Sequence, residues 1–137
     1  MFNRIMVPID LAHADALGRA LDTAADLARH YGIPVAYVGV TAETPTAVAH
    51  NPGEYAQKIR AFAEEQATRH GIAAEGLGYA SHDPATDIDQ TLLRAAEETG
   101  ADLIVMASHI PGIADHFWPS HGGHMASRAN ASVFIVR

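Results

Sequence analysis

The sequence predicts a doubly wound α/β fold, in which helices cover both faces of a parallel β-sheet. Apolar runs typical of buried strands alternate with amphipathic segments, and three of those segments stop at Gly32, Gly71 and Gly100. Such alternation indicates right-handed crossovers and parallel strands. At 137 residues and 48% hydrophobic content, the chain has the length and apolar content of one domain spanning residues 1–137.

The first strand and the first helix follow directly from the pattern of apolar residues. Residues 5–9 form a continuous apolar run, typical of a strand buried on both faces. After Asp10, apolar residues recur at helical spacing until Gly32 stops the helix. These residues are Ala14, Leu17, Leu21, Ala24, Ala25 and Ala28. Residues 35–40 then predict the second strand.

The middle of the chain contains a loop, a helix and a poor strand. Residues 41–53 are rich in turn formers and lack periodicity, which predicts a long surface loop and makes it a candidate lid or contact surface. Residues 54–70 predict the second helix, whose apolar face carries Tyr55, Ile59, Phe62 and Ala63. Residues 72–81 form a weak strand at best, because Gly76 and Gly78 lower strand propensity, and we expect them at the edge of the sheet.

The last part repeats the alternation. Asp83 followed by proline is a typical helix start, with a side-chain acceptor at the N-cap, and the third helix ends at Gly100. Residues 103–106 predict the fourth strand. A helix then begins near Ser120, and residues 132–137 form the last strand.

Composition excludes several classes of partner. The formal net charge is −7, and no run of Lys or Arg offers a surface for DNA or RNA. Cysteine is absent, which excludes disulfides and fits an intracellular protein. The start of the chain does not resemble a signal peptide, and no window approaches a membrane span. We therefore expect a cytoplasmic protein with no nucleic-acid or membrane partner.

The sequence places a ligand site where the first and fourth strands end. In a doubly wound sheet these strands flank the reversal of strand order, and ligands bind in the crevice there. Asp10 would accept hydrogen bonds from ribose hydroxyls, Val40 would cover a base, and backbone N–H groups between residues 108 and 122 would hold phosphates. Two alternatives stay open, because Asp10 and Ser120 could each simply cap a helix.

Four segments carry a resemblance to a known family. They are residues 5–10, residues 102–109, Ser120 at the start of the last helix, and residues 132–136. With them the chain resembles the universal stress protein family from end to end.

The resemblance implies a five-stranded sheet of order 3-2-1-4-5, similar to the adenine nucleotide alpha-hydrolase fold. It also implies that ATP or AMP binds, with or without Mg²⁺. The implied nucleotide-binding residues are Pro8, Ile9, Asp10, Val40, Met106, Ala107, Ser108, His109, Ser120, His121 and Gly122.

The phosphate loop departs from the family pattern, which reads G-x-x-G, nine residues, then G followed by Ser or Thr. Here Ala107, Ile110 and Pro119 replace the three glycines, and the spacer is one residue short. The loop is closer to a branch that reads A-S-H-x-P. Proline has no N–H, so one phosphate donor is lost, which weakens binding on the order of ten- to a hundredfold. The Gly122 and Gly123 amides in the first helical turn offer compensation.

The loop and the following helix also contain four histidines. His109, His116, His121 and His124 could hold a metal, but no carboxylate or cysteine apart from Asp115 completes a ligand set. We favour the alternative that protonated histidines attract phosphate and give nucleotide binding a weak pH dependence. The metal site is therefore expected to be absent.

No catalytic motif is recognisable in the sequence. No lysine follows a phosphate loop and no G-x-S-x-G elbow is present, so we expect no catalytic residues. Any ATP hydrolysis would be very weak.

Assembly is predicted from the last strand. Residues 132–137 form a nearly uninterrupted apolar run at a sheet edge, which favours pairing with another copy. The family resemblance likewise implies an antiparallel homodimer through this strand. Two functional hypotheses follow: a small stress-response or regulatory protein that binds an adenine nucleotide, or a dimeric interaction module of the same fold that binds none.

Overall fold

A computed structural model describes residues 1–108 and 121–137. Its strands are β1 (Ile5–Ile9), β2 (Val35–Ala42), β3 (Ala74–Ser81), β4 (Leu103–Ala107) and β5 (Ser132–Val136). They form one parallel sheet in the order β3-β2-β1-β4-β5. The predicted fold class and strand order are confirmed.

In the described residues, four α-helices cover the two faces of the sheet. They are α1 (Gly18–Tyr31), α2 (Pro52–His70), α3 (Pro84–Thr99) and α4 (His121–Arg128). On one face, side chains of α1 and α2 such as Ala24 and Ile59 are buried with Val7. On the other face, Leu92 of α3 and Met125 of α4 are buried against the opposite side of the sheet. No helix in the described ranges is both long and apolar enough to span a membrane.

The segment after β1 differs from the single helix that the periodicity predicts. Leu11–Leu17 is a 3-10 helix, and α1 begins only at Gly18. The backbone leaves helical geometry at His13, where φ is −130° and ψ is 29°. The apolar spacing continues across this kink, which is why the sequence pattern does not reveal it.

The expectation that residues 72–81 form only a weak strand is wrong. β3 has eight residues and pairs with β2 along its whole length, although its position at the edge is as predicted. The glycines have a packing role, because a Cβ added at Gly76 would lie 2.2 Å from the carbonyl oxygen of Ile59 in α2. Gly76 thus lets the helix backbone approach the strand closely.

The predicted ends of the helices agree with the structure better than their predicted starts. Gly32, Gly71 and Gly100 each close a helix in the left-handed region, with φ of 65°, 64° and 70°. However, α2 begins before residue 54, and the Asn51 side chain caps it by accepting from the Glu54 amide at 2.8 Å. The Asp83 side chain caps no backbone amide of α3 and instead accepts from the Thr86 hydroxyl at 2.9 Å.

The segment 41–53 is packed more closely than a simple surface loop. β2 extends into it as far as Ala42. The Thr46 hydroxyl accepts from the Ala49 amide at 3.2 Å, and Ala49 is 3% exposed. Lys58 of α2 donates to the Val48 carbonyl. These contacts fix the segment against the start of α2.

Asp102, just before β4, holds the start of the chain. Its carboxylate accepts from the backbone amides of Asn3 at 3.0 Å and Arg4 at 3.1 Å. Desolvation of the carboxyl group favours its neutral form, but these hydrogen bonds outweigh it and keep the pKa of Asp102 below its ordinary value. The entry into β1 is thereby fixed beside β4.

Candidate functional site

The switch point of the sheet lies between β1 and β4, where doubly wound folds have a crevice outside the strand ends. β1 pairs with β2 along all five residues, but with β4 only through Ile5 and Met6. The Ile5 amide donates to the carbonyl oxygen of Pro34, just before β2, at 3.1 Å. Because the backbone groups of successive residues in a strand face opposite neighbours, the backbone nitrogen of Pro8 faces β4. Proline has no N–H to continue that ladder. The two strands therefore separate beyond Met6.

Asp10 lies at the end of β1, beside this crevice. Its Oδ1 accepts from the Ala12 amide at 3.1 Å, which caps the 3-10 helix, and its Oδ2 lies 2.8 Å from Nδ1 of His13. The side chain of Asp10 is only 15% exposed. The capping role that the sequence left open is therefore present. Each carboxylate oxygen can still accept a further hydrogen bond, so capping and ligand binding are compatible.

His13 is a neighbour that the sequence analysis missed. Its side chain is 42% exposed while its ring nitrogen contacts Asp10. The spacing of three residues within a helical turn could have indicated this pair, but only once the turn after Asp10 was recognised. The contact restrains the Asp10 carboxylate at the mouth of the crevice.

The other predicted residues of β1, β2 and β4 lie at the same edge of the sheet. Pro8 and Ile9 are the last residues of β1 and are buried. Val40 is half-buried near the end of β2 and packs against the core under α3. Met106 is buried and Ala107 is half-buried at the end of β4. The topology thus brings these five residues together at the carboxyl ends of three neighbouring strands.

Ser108 follows β4, and its backbone amide is already engaged. It donates to the Val136 carbonyl of β5 at 2.8 Å, which extends the sheet by one hydrogen bond. A phosphate at this position would therefore have to use donors other than the Ser108 amide.

The remaining predicted residues are described only in part. His109 and Ser120 lie outside the described residues, as do Ile110, His116 and Pro119. His121 and Gly122 form the first turn of α4, where backbone amides have no acceptor within the helix. Gly123 follows them and is exposed, with open space where a Cβ would be. These amides point away from the body of α4 and are suited to an anion.

His124 contacts a neighbouring helix. Its Nδ1 lies 3.5 Å from Oδ2 of Asp89 in α3, and the two side chains are 50% and 21% exposed. Within residues 1–108 and 121–137, no group of three or more His, Asp or Glu side chains could hold a metal ion. The predicted role of the histidines in phosphate binding stays a prediction.

Tyr55 of α2 is a second neighbour that sequence reasoning did not assign to the site. It was predicted as a buried residue of the helix face, and it is 4% exposed. Burial in the first place, and the negative charge of Asp10 in the second, raise the pKa of Tyr55 well above its ordinary value. Its hydroxyl is thus electrostatically coupled to the carboxylate at the end of β1.

These features define a class: α/β proteins with a doubly wound, five-stranded parallel sheet and an acidic side chain beside the switch point. The family model of the universal stress protein family matches residues 1–137. The chain belongs to that family.

Among known proteins, the chain is similar to universal stress protein G of Shigella flexneri. The two are 24% identical over 148 aligned positions that cover all of both chains. A universal stress protein of Archaeoglobus fulgidus in complex with dAMP superposes with a TM-score of 0.70, at 20% identity, over 98% of each chain. A universal stress protein in complex with cAMP gives a TM-score of 0.70, at 21% identity, over 99% of this chain and 97% of that one. At these identities the two structures support the fold.

Proposed function

We propose that the protein binds an adenine nucleotide, AMP or ATP, in the crevice between β1 and β4 and serves as a regulatory protein without fast catalysis. The observation that carries the proposal is the separation of β1 from β4 beyond Met6, directly beside the half-buried Asp10. A carboxylate at a strand end of a switch-point crevice is suited to ribose hydroxyls. The relatives with dAMP and cAMP support the same ligand class.

The adenosine half of the site supplies most of the affinity in this proposal. Val40 offers an apolar surface for the base, and Asp10 offers acceptors for the ribose. At the phosphate end, the Ser108 amide is occupied, and Pro119 supplies no N–H. The first-turn amides of α4 are then the donors available to a phosphate in the described residues. AMP and ATP should therefore bind with similar affinity, with little effect of Mg²⁺.

The first experiment measures carried and added nucleotide. The purified full chain is denatured and the released small molecules are analysed, and AMP, ATP with Mg²⁺ and GMP are titrated by isothermal calorimetry. We expect AMP and ATP to bind within a few-fold of each other and GMP to bind more weakly. No released nucleotide together with no heat for AMP or ATP would refute the proposal.

A pair of aspartate variants tests the role of Asp10. Asp10→Asn retains a good N-cap, so the 3-10 helix is preserved while the charged acceptor is lost. We expect it to weaken AMP binding on the order of tenfold or more. Asp15→Asn is the matched control, because Asp15 is exposed on the same helix and changes the net charge equally. Equal affinities of the two variants would contradict a role for Asp10.

The second candidate function is a dimeric interaction module. Phe134 and Ile135 of β5 are 45% and 38% exposed on an edge strand, which favours a partner at this edge. We propose an antiparallel homodimer through residues 132–137 in either case. If the dimer forms but no adenine nucleotide binds, the interaction module becomes the better hypothesis. The cytoplasmic location stays a prediction from the sequence.

A further inference from the structure

Tyr55 lies over a pair of glycines on two neighbouring strands. A Cβ added at Gly39 of β2 would lie 2.1 Å from the Tyr55 hydroxyl oxygen, and one added at Gly78 of β3 would lie 3.1 Å from Cδ1 of the ring. Gly39 and Gly78 are register partners in the sheet. The tyrosine ring therefore occupies the space of two missing side chains, and its hydroxyl lies against Gly39.

The register of the sheet places this hydroxyl near Asp10. Gly39 of β2 is the register partner of Ile9, which precedes Asp10 on β1, the strand that lines the crevice. The charge of Asp10 acts on the Tyr55 hydroxyl, which keeps its proton at neutral pH and remains a donor. Within residues 1–108 and 121–137, this hydroxyl has no hydrogen-bond partner.

A carboxylate and a phenol close together at the carboxyl end of a strand are complementary to a pair of adjacent hydroxyls. An ionised carboxylate only accepts, whereas a tyrosine hydroxyl can donate. The two ribose hydroxyls of a nucleotide can supply one donor to Asp10 and one acceptor to Tyr55. The arrangement therefore fits a ribonucleotide better than a nucleotide that lacks one ribose hydroxyl.

We propose that Tyr55 is a specificity-determining residue, which donates to one ribose hydroxyl while Asp10 accepts from the other. The inference rests on the proposed nucleotide site and adds the selection of ribonucleotides. The bound hydroxyl would replace water as the partner of Tyr55. Removing the Tyr55 oxygen should then lower affinity only for ligands that carry this hydroxyl.

The test compares three ligands on three proteins. AMP, dAMP and cordycepin monophosphate are titrated into the wild type, Tyr55→Phe and Tyr37→Phe. AMP carries both ribose hydroxyls, whereas dAMP and cordycepin monophosphate each lack a different one of the two. Tyr37 is the matched control, because it is a buried tyrosine on the same face of the sheet whose hydroxyl also lacks a partner in the described residues. We expect Tyr55→Phe to weaken AMP binding about three- to tenfold. We expect Tyr37→Phe to bind all three ligands as the wild type does.

The selectivity ratio makes the result independent of small changes in folding. In Tyr55→Phe, the preference for AMP over one of the two deoxy analogues should disappear, whereas a general loss of active protein would leave this ratio unchanged. Thermal unfolding followed by circular dichroism confirms that each variant is folded. If Tyr55→Phe binds AMP like the wild type, or loses affinity equally for all three ligands, the proposed role of Tyr55 is wrong. The proposal that the protein binds an adenine nucleotide would then be unaffected. If the wild type binds none of the ligands, both proposals are refuted.

Discussion

Replacing Gly76 by alanine should destabilise the protein severely. The added Cβ would lie 2.2 Å from the Ile59 oxygen, 2.6 Å from its carbonyl carbon and 2.8 Å from Cα of Arg60. All three atoms belong to the backbone of α2, so no side-chain rotation relieves the clash. Restoring ordinary contact requires α2 and β3 to separate by roughly 1 Å, which costs about 3 kcal/mol by comparison with overpacked cores. Such a loss lowers the melting temperature by roughly 10 °C in a domain of this size.

Gly18→Ala is the matched control for this experiment. Gly18 begins α1 with φ of −50° and ψ of −46°, and no heavy atom lies within 4 Å of an added Cβ. The same chemical change should therefore be neutral or stabilise the protein by up to about 1 kcal/mol. Urea denaturation followed by circular dichroism measures both free energies of unfolding. If Gly76→Ala loses less than about 0.5 kcal/mol, the close approach of α2 to β3 does not explain Gly76.

Three further predictions concern a buried amide, an anchoring carboxylate and the sheet edge. Gln66 is 3% exposed and its Oε1 has no partner in the described residues, so Gln66→Met should stabilise the protein by about 1 kcal/mol in urea denaturation; a loss would reveal a partner for this oxygen. Asp102→Asn should destabilise by about 1–3 kcal/mol at neutral pH. Since the folded-state pKa of Asp102 is lowered from 3.8, its stabilisation is present above that pH and is lost as the pH falls through the folded value. Urea denaturation as a function of pH should show the difference between wild type and variant shrinking below pH 3.8, and a constant difference would contradict the ionised carboxylate as its source. Ile135→Lys should convert the proposed homodimer into a monomer at micromolar concentration, as measured by light scattering after size exclusion, and an unchanged mass would contradict an interface through β5.

The parallel strands and the two-sided helical cover could be predicted because they depend on local patterns, whereas the strand order came from the family resemblance. The apolar run of residues 5–9 and the helix stops at Gly32, Gly71 and Gly100 are visible in any short window. The full-length pairing of β3 with β2 could not be predicted in the same way. Gly76 weakens an isolated strand, but its contribution depends on the backbone of Ile59, which reaches it only after α2 has packed on the sheet.

The position of the candidate site in the sheet could be predicted from the sequence, whereas the contacts of its residues could not. Asp10 directly follows a buried strand, so its place at the carboxyl end of the sheet follows from the topology. The separation of β1 from β4 depends on which side of the strand Pro8 faces, and that is known only once the register is known. Tyr55 was recognised as buried, but its hydroxyl meets Gly39 through a tertiary contact. The predictions for His109 and Ser120 concern residues outside the described part of the chain.

The central position of β1 has a consequence for how the protein is made. β1 is synthesised before the other strands, and its neighbour β2 follows directly at residues 35–42, but its other neighbour, β4, begins only at Leu103. During synthesis the apolar strand at the centre of the sheet therefore has one unpaired edge until β4 has been made. Parallel pairing over such sequence distances forms slowly and leaves edges open to other chains. Truncated chains that end before β4 should consequently aggregate, because they lack the Asp102 carboxylate that accepts from the Asn3 and Arg4 amides and holds the start of β1 beside β4.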